Sequence, residues 1–315
     1  MEQNYEYHLP VLLSEAISYL ITDKNGIYVD GTLGGGGHSQ KILEALSDDG
    51  KLISFDKDID AINYCSKKLA KYMAPSVHKF VLRNESFSKA CSVAEEWGLI
   101  NGFLLDLGVS SKHFDNESGG FSYRTNSHLD MRFFPEGKTA EELINSATEE
   151  ELERIFRIYG EEKFSRKIAR RIYSVRRGKA LQTTYDLRDA VISSLPPINP
   201  YDTLSRVFQA IRIVINNELS ELETAIKKII PVLAIGGRIV VISYHSLEDR
   251  IVKNLFKEHS EPKQHINKYR YENYISNSVP SLRILTKYPI IPSKDEQETN
   301  SRARSAKMRV AERSV

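Results

Sequence analysis

At 315 residues the chain is longer than a typical single domain and can bury a substantial core, which points to one large domain with a smaller one. An apolar share of 41%, a charged share of 27% and the lack of any apolar run of about eighteen residues argue against a membrane-spanning protein. The net charge of +2 is uninformative as a sum, because contact with nucleic acid depends on where charge lies.

The opening segment MEQNYEYHLP has no Lys or Arg and no apolar signal region, so export is not expected and a cytoplasmic location is. Two cysteines, Cys65 and Cys91, fall in helical-looking segments and suit ordinary buried thiols; they cannot build a zinc site or a disulfide framework.

In chain order, Gly26–Asp30, Lys51–Asp56, Val77–Leu82 and Gly102–Leu107 read as short strands. Between them Ser39–Leu46, Asp58–Met73 and Ser86–Trp97 carry apolar residues at helical spacing. Repeated strand–helix–strand units imply a parallel sheet covered by helices. After Leu107 a polar, glycine-containing stretch leads to four predicted helices: Thr139–Asn145, Thr148–Tyr159, Glu161–Arg177 and Thr183–Ser193. The second opens T-E-E-E, with a Thr cap and an acidic first turn. Three prolines in Leu195–Tyr201 close this run. One long helix is predicted over Thr203–Ile230, then a buried strand at Gly236–Ser243, a helix at Leu247–Glu258, and strands near Leu282–Thr286 and Ala306–Ala311.

Tyr28–Ser39 (YVDGTLGGGGHS) is the sharpest local signal, a strand ending in Asp30 and opening through glycines into a helix. Such a turn lets backbone approach a ligand closely and offers free N–H groups at the helix start. No Gly-Lys-Ser/Thr follows, so it is not a Walker loop. Asp56, at the end of the second strand, is placed to accept ribose hydroxyls. Loop and Asp56 together fit NAD as well as S-adenosylmethionine. Asp106 lies at the carboxyl end of the fourth strand, where open α/β sheets hold ligands and reactive groups; a plain turn former is its alternative reading.

Several stretches are similar to the MraW/RsmH family, methyltransferases acting on the exocyclic N4 of a cytosine in small-subunit (16S) ribosomal RNA. They are His8–Glu15 (HLPVLLSE), Val29–His38 (VDGTLGGGGH), Leu105–Ser111 (LDLGVSS), Gly120–Ser122 (GFS) and Leu129–Arg132 (LDMR). Further along come Tyr159–Arg170 (YGEEKFSRKIAR), Phe208–Leu219 (FQAIRIVINNEL), Ile242–Lys253 (ISYHSLEDRIVK) and Arg302–Arg313 (RARSAKMRVAER). The resemblance implies an α/β fold, a Rossmann-like class I methyltransferase sheet with an inserted all-helical domain. The divisions expected are 1–112 and 203–315 for the methyltransferase domain and 113–202 for a substrate-recognition insert. It further implies S-adenosylmethionine as cofactor, with Gly36, Gly37 and His38 at its methionine part, Asp56 at its ribose, Phe87 near its adenine, and Asp106 and His113 completing the set. Small-subunit ribosomal RNA, within an assembled or assembling subunit, is the implied partner, and a homodimer is left open.

Two positions depart from the family pattern. Lys112-His113 replaces the usual Pro-Gln, and imidazole offers a different donor–acceptor geometry from an amide. Asp130-Met-Arg-Phe-Phe134 replaces D-M-R-M-D, removing a carboxylate on the expected substrate side.

The Asp-Pro-Pro-aromatic type of motif used by many amino methyltransferases is absent; Asp106-Leu-Gly-Val stands in its place. Asp106, or a nearby carbonyl, is therefore expected to orient the amine. His245, at the end of the fifth strand, is expected to accept or relay its proton, with a structural histidine as the alternative. Tyr244 is a candidate for stacking on an extracted base. Basic residues crowd Lys163–Lys179, and in Glu161–Arg177 they lie off an apolar face of Phe164, Ile168, Ile172 and Val175. This marks Arg170 and Arg171 as candidate RNA-backbone contacts, against a merely solvated charged face. An NAD-dependent oxidoreductase and a non-catalytic RNA-binding factor are the competing readings.

Overall fold

The computed structural model describes residues 10–73, 79–108, 119–261, 264–266, 273–275 and 279–315. The chain divides into two compact units, 1–108 with 219–315, and 109–218.

The first unit is built on a seven-stranded sheet. Its strands are β1 (Ile27–Asp30), β2 (Lys51–Phe55), β3 (Phe80–Arg83), β4 (Ile100–Asp106), β5 (Leu233–Ser243), β8 (Leu282–Ile284) and β9 (Lys307–Arg313), in the order β3-β2-β1-β4-β5-β9-β8. The first five are parallel, and β9 returns antiparallel to β5 and to β8. A separate two-stranded pair, β6 (Gln264–Ile266) and β7 (Asn273–Ile275), is antiparallel.

Strand side chains alternate between two cores, as the period of two requires. Val29, Ile53, Phe103, Leu105, Ile239 and Val241 face one core, and Tyr28, Leu52, Leu104, Val240 and Ile242 face the other. The first core is closed by helices α4 (Val93–Trp97), α10 (Glu218–Ile229) and α11 (Ser246–Ser260), through residues such as Ile226, Ile229 and Phe256. The second is closed by α1 (Leu13–Leu20), α2 (Gly37–Ala45) and α3 (Ile59–Lys68), through Leu20, Leu43 and Leu69 beside α3. Burial on both faces is why these strands read as nearly continuous apolar runs. A short helix α12 (Lys294–Thr299) precedes β9. Among the described residues no helix is long and apolar enough to cross a membrane.

From β1 the chain runs outward to β2 and β3, then returns to place β4 on the other side of β1. That reversal makes β1 and β4 the topological switch point, where such sheets bind ligands beyond their carboxyl ends.

The second unit packs α5 (Ala140–Ser146), α6 (Glu149–Ile158), α7 (Ser165–Arg176), α8 (Thr184–Ile192) and α9 (Tyr201–Asn216) around one apolar core. Capping boxes at Thr139/Glu142, Thr148/Glu151 and Thr183/Asp186 start α5, α6 and α8. The helix predicted over Thr203–Ile230 is instead two, broken where Asn217 adopts φ 52° in the left-handed region. Because α9 places Leu204, Val207, Phe208 and Ile211 in this core, the compact unit runs to Glu218, past the expected boundary at Asp202. The other expected boundary, 112/113, lies outside the described residues.

Candidate active site

Asp30 ends β1 wholly buried and ties the following loop to the sheet. It accepts the Thr32 N–H at 3.0 Å and the Ser39 hydroxyl at 2.6 Å, and Ser39 in turn meets Ser54 at 2.8 Å. Burial pushes its pKa up, and the Ser39 bond opposes that. Three loop N–H groups then bind the ends of β4 and β2: Gly31 to Leu104 O at 2.8 Å, Leu33 to Phe55 O at 2.9 Å, and Gly34 to Asp56 Oδ2 at 2.8 Å.

Gly34 and Gly36 have φ of 48° and 70°, which favours glycine. A Cβ on Gly36 would stand 2.8 Å from Cys65 Sγ, and one on Gly37 2.8 Å from Pro10 Cγ. The glycines at 36 and 37 are thus already required by the wall behind the loop. At Gly34, by contrast, no atom of the described residues, its chain neighbours aside, lies within 4 Å of the added Cβ. Further along the loop, His38 is buried, and its Nε2 has no hydrogen-bond partner among the described residues. Open space at Gly34 and an orphaned ring nitrogen are what a loop made for a polar ligand would present.

Asp56 follows β2, with Oδ1 accepting the Asp58 N–H at 2.8 Å and Oδ2 that of Gly34. Burial raises its pKa to about 6 against these two bonds. Each oxygen keeps a further lone pair for another donor. Phe87, half-buried, lies across the end of β1: a Cβ on Gly31 would meet its Cβ at 2.9 Å.

Asp106 ends β4. Its backbone N–H donates to Thr32 Oγ1 at 2.7 Å, its Oδ1 accepts the Tyr244 hydroxyl at 2.7 Å, and its Oδ2 lies 3.7 Å from His38 Nδ1. Burial raises its pKa, while His38, Tyr244 and the charge of Arg302 pull it down. Burial, then the neighbouring Asp106, drives the Tyr244 phenol well above its ordinary range. The strand ends therefore bring together Gly36, Gly37, His38, Asp56, Phe87, Asp106 and Tyr244. Thr32 joins them unforeseen, and the charge of Arg302 acts on Asp106; Arg302 opens the closing RARSAKMRVAER stretch, whose charges otherwise look alike. Two of those charges are structural: Arg309 pairs with Asp249 at 2.6 Å, and Arg313 donates to Ile230 O at 2.7 Å.

His245 caps α11. Its Nδ1 accepts the Glu248 N–H at 3.4 Å; its buried Nε2 lies 3.1 Å from Glu248 Oε1 without a well-aligned hydrogen bond among the described residues, while Glu248 Oε2 takes the Tyr244 N–H at 2.8 Å. Both ring nitrogens thus face Glu248. In the second unit α7 buries Ile168, Ala169 and Ile172 and exposes Arg166, Lys167, Arg170 and Arg171. Arg170 lies 3.4 Å from Glu149, and Arg171 Nε donates to Ser193 Oγ at 2.9 Å. His113 lies outside the described residues.

The model of the MraW methylase family matches residues 5–314. A Caldicellulosiruptor saccharolyticus protein named Ribosomal RNA small subunit methyltransferase H is 46% identical over 310 residues, covering 97% of this chain and 99% of that protein. A namesake from Carboxydothermus hydrogenoformans is 42% identical over 311 residues, covering 97% of each. Among solved structures, an rRNA methylase from Streptococcus thermophilus aligns over 96% of this chain and 94% of its own, with 12% identity and a TM-score of 0.40, a likeness too slight to argue from. With a family match over nearly its whole length, the chain belongs to the MraW methylase family and is an S-adenosylmethionine-dependent methyltransferase.

Proposed function

We propose that this chain methylates the exocyclic N4 of a cytidine in small-subunit (16S) ribosomal RNA. The carrying observation is the 46% identity, over nearly the full length of both chains, to a protein named for that RNA class. The N4 of cytidine follows from the resemblance of the quoted motifs. S-adenosylmethionine, when bound, supplies an electrophilic methyl group on sulfur.

The chain's own residues position and neutralise. Gly36, Gly37 and His38 would hold the methionine part, Asp56 would accept ribose hydroxyls through its remaining lone pairs, and Phe87 would lie against the adenine. His113 would complete the set. Positioning dominates a reaction of this kind, since the amine must be held in line with the methyl group. We assign Asp106 Oδ2 to orient the amine and to receive its proton as the N4–methyl bond forms. A carboxyl whose pKa is raised by burial is a better base than one in water. His245 suits that task less, because its Nδ1 is spent on the Glu248 N–H at the start of α11 and its Nε2 is turned to the Glu248 carboxylate rather than to Asp106. The exposed Arg170 and Arg171 would contact RNA phosphates. A ribosomal substrate would put the protein in the cytoplasm, and sedimentation of the purified chain tests for a homodimer.

Incubation with methyl-labelled cofactor and either free ribosomal RNA or isolated small subunits, followed by mapping of the label, tests the reading. Label on one cytidine N4 is expected. No incorporation into either substrate would overturn it, and label on another atom would overturn the N4 assignment alone.

A further inference from the structure

Tyr244 carries an observation that its expected role as a base-stacking residue does not use. Its hydroxyl is spent on Asp106 Oδ1 at 2.7 Å, across 138 residues of sequence. Its backbone N–H is held by Glu248 Oε2 at 2.8 Å, and its ring passes so close to Gly108 that a Cβ there would stand 3.0 Å from Cε2. Backbone, ring and hydroxyl are all fixed.

We propose that Tyr244 is a positioning residue: it pins Oδ1 of Asp106 so that Oδ2 is the oxygen presented to an N–H donor of the substrate. This rests on the assignment of Asp106 made above. The terminal torsion of an aspartate is broad and two-fold, so an unpinned carboxylate samples many orientations. Here the backbone of Asp106 is anchored by its N–H on Thr32 and one carboxylate oxygen by Tyr244. No hydrogen-bond donor among the described residues reaches Oδ2, His38 Nδ1 standing off at 3.7 Å. An oxygen left bare beside a fixed partner is an acceptor held ready for a ligand. The charged and titratable groups facing it are His38 and Arg302, which favour the carboxylate, and Glu248 and Asp30, which oppose it.

The test is Tyr244→Phe, which keeps the ring and its packing and removes only the donor. Losing one hydrogen bond to a carboxylate moves its midpoint up by about one pH unit. The Asp106 carboxyl carbon signal, followed by NMR on aspartate-labelled protein without cofactor and assigned by its absence in Asp106→Asn, should titrate that much higher. The acid limb of the single-turnover rate should move with it, and the plateau rate should fall about tenfold. Replacing Tyr244 with 3-fluorotyrosine, a stronger donor, should move the carboxyl midpoint downward. Unchanged midpoints in both variants, with thermal unfolding like that of the unaltered protein, would overturn the proposal. Full activity in Asp106→Asn would overturn the assignment of Asp106, a different result from a different variant.

Discussion

The N–H of Gly34 donates to Asp56 Oδ2 at 2.8 Å, so the carboxylate expected to bind a ribose also fixes the bend of the glycine loop. Burial holds the Asp56 pKa at about 6, above its ordinary 3.8. Proton loss therefore opposes folding: the stabilisation from this group falls as pH rises from about 4 to about 6 and is level above that. Ligand binding has the opposite sense, because the ionised form is the better acceptor. Affinity for S-adenosylmethionine, measured by calorimetry, should be level above about pH 7 and weaken as pH falls below about 6, by at most tenfold per unit. Asp56→Asn should bind weakly and lose this inflection; a variant that kept it would show that another group titrates.

Two glycines of the same loop should respond differently to alanine. At Gly36 the added Cβ combines φ 70° with a 2.8 Å approach to Cys65 Sγ, and at Gly34 it meets φ 48° and, among the described residues, open space. Backbone strain alone costs about 1–3 kcal/mol at such positions. Urea unfolding should show Gly36→Ala losing more stability than Gly34→Ala. Calorimetry should show Gly34→Ala losing cofactor affinity, because its methyl group enters the open space of the loop. Equal stability losses would contradict the packing argument.

The strands and the helical insert were legible because their signals are local. Parallel strands buried on both faces read as apolar runs, and Thr148 with Glu151 announces its helix within four residues. Helix α1 had no such announcement: Leu12 precedes it at φ 52° without a side-chain cap, and its N–H is taken by Glu296 Oε1 in α12, 284 residues away. Helix α12 buries none of its residues and so shows no apolar period. The break at Asn217 is masked because the apolar spacing continues across it; its one local mark is the asparagine itself, a residue type that tolerates the left-handed region. In the site, Asp106 is legible from its place at a strand end. Its bond to Tyr244 and the pull of the Arg302 charge are made by the fold and have no counterpart in spacing.

Asn216 fastens the segment that departs from the family pattern. Its Oδ1 accepts the Phe133 N–H at 2.8 Å, and its Nδ2 donates to Met131 O at 2.8 Å and Arg212 O at 2.9 Å. Met131 is wholly buried with φ 61°, a conformation that must be held from outside. Asn216→Ala removes these bonds and should destabilise the helical unit by about 1–3 kcal/mol in urea unfolding. Asn216→Asp keeps the acceptor for Phe133 but loses both donated bonds, and should also unfold earlier. A stability loss confined to the aspartate variant would mean that charge, and not the missing hydrogen bonds, is the cause.

Charge reversal at Arg170 and Arg171 separates an RNA-binding surface from a solvated one. Side chains with relative exposures of 66% and 29% form the Arg170–Glu149 pair, which is too open to water to add much stability. The double variant should therefore unfold within about 1 kcal/mol of the unaltered protein. RNA binding should change in two linked ways if these arginines meet phosphates. Affinity falls, and the slope of log affinity against log salt becomes shallower by about 0.7 for each single-stranded phosphate that is no longer neutralised. Filter binding of a ribosomal RNA fragment across a salt series reads both quantities. Weakened binding with an unaltered slope would mean that the arginines act through the fold of α7, and unaltered affinity and slope together would move the RNA-binding surface elsewhere.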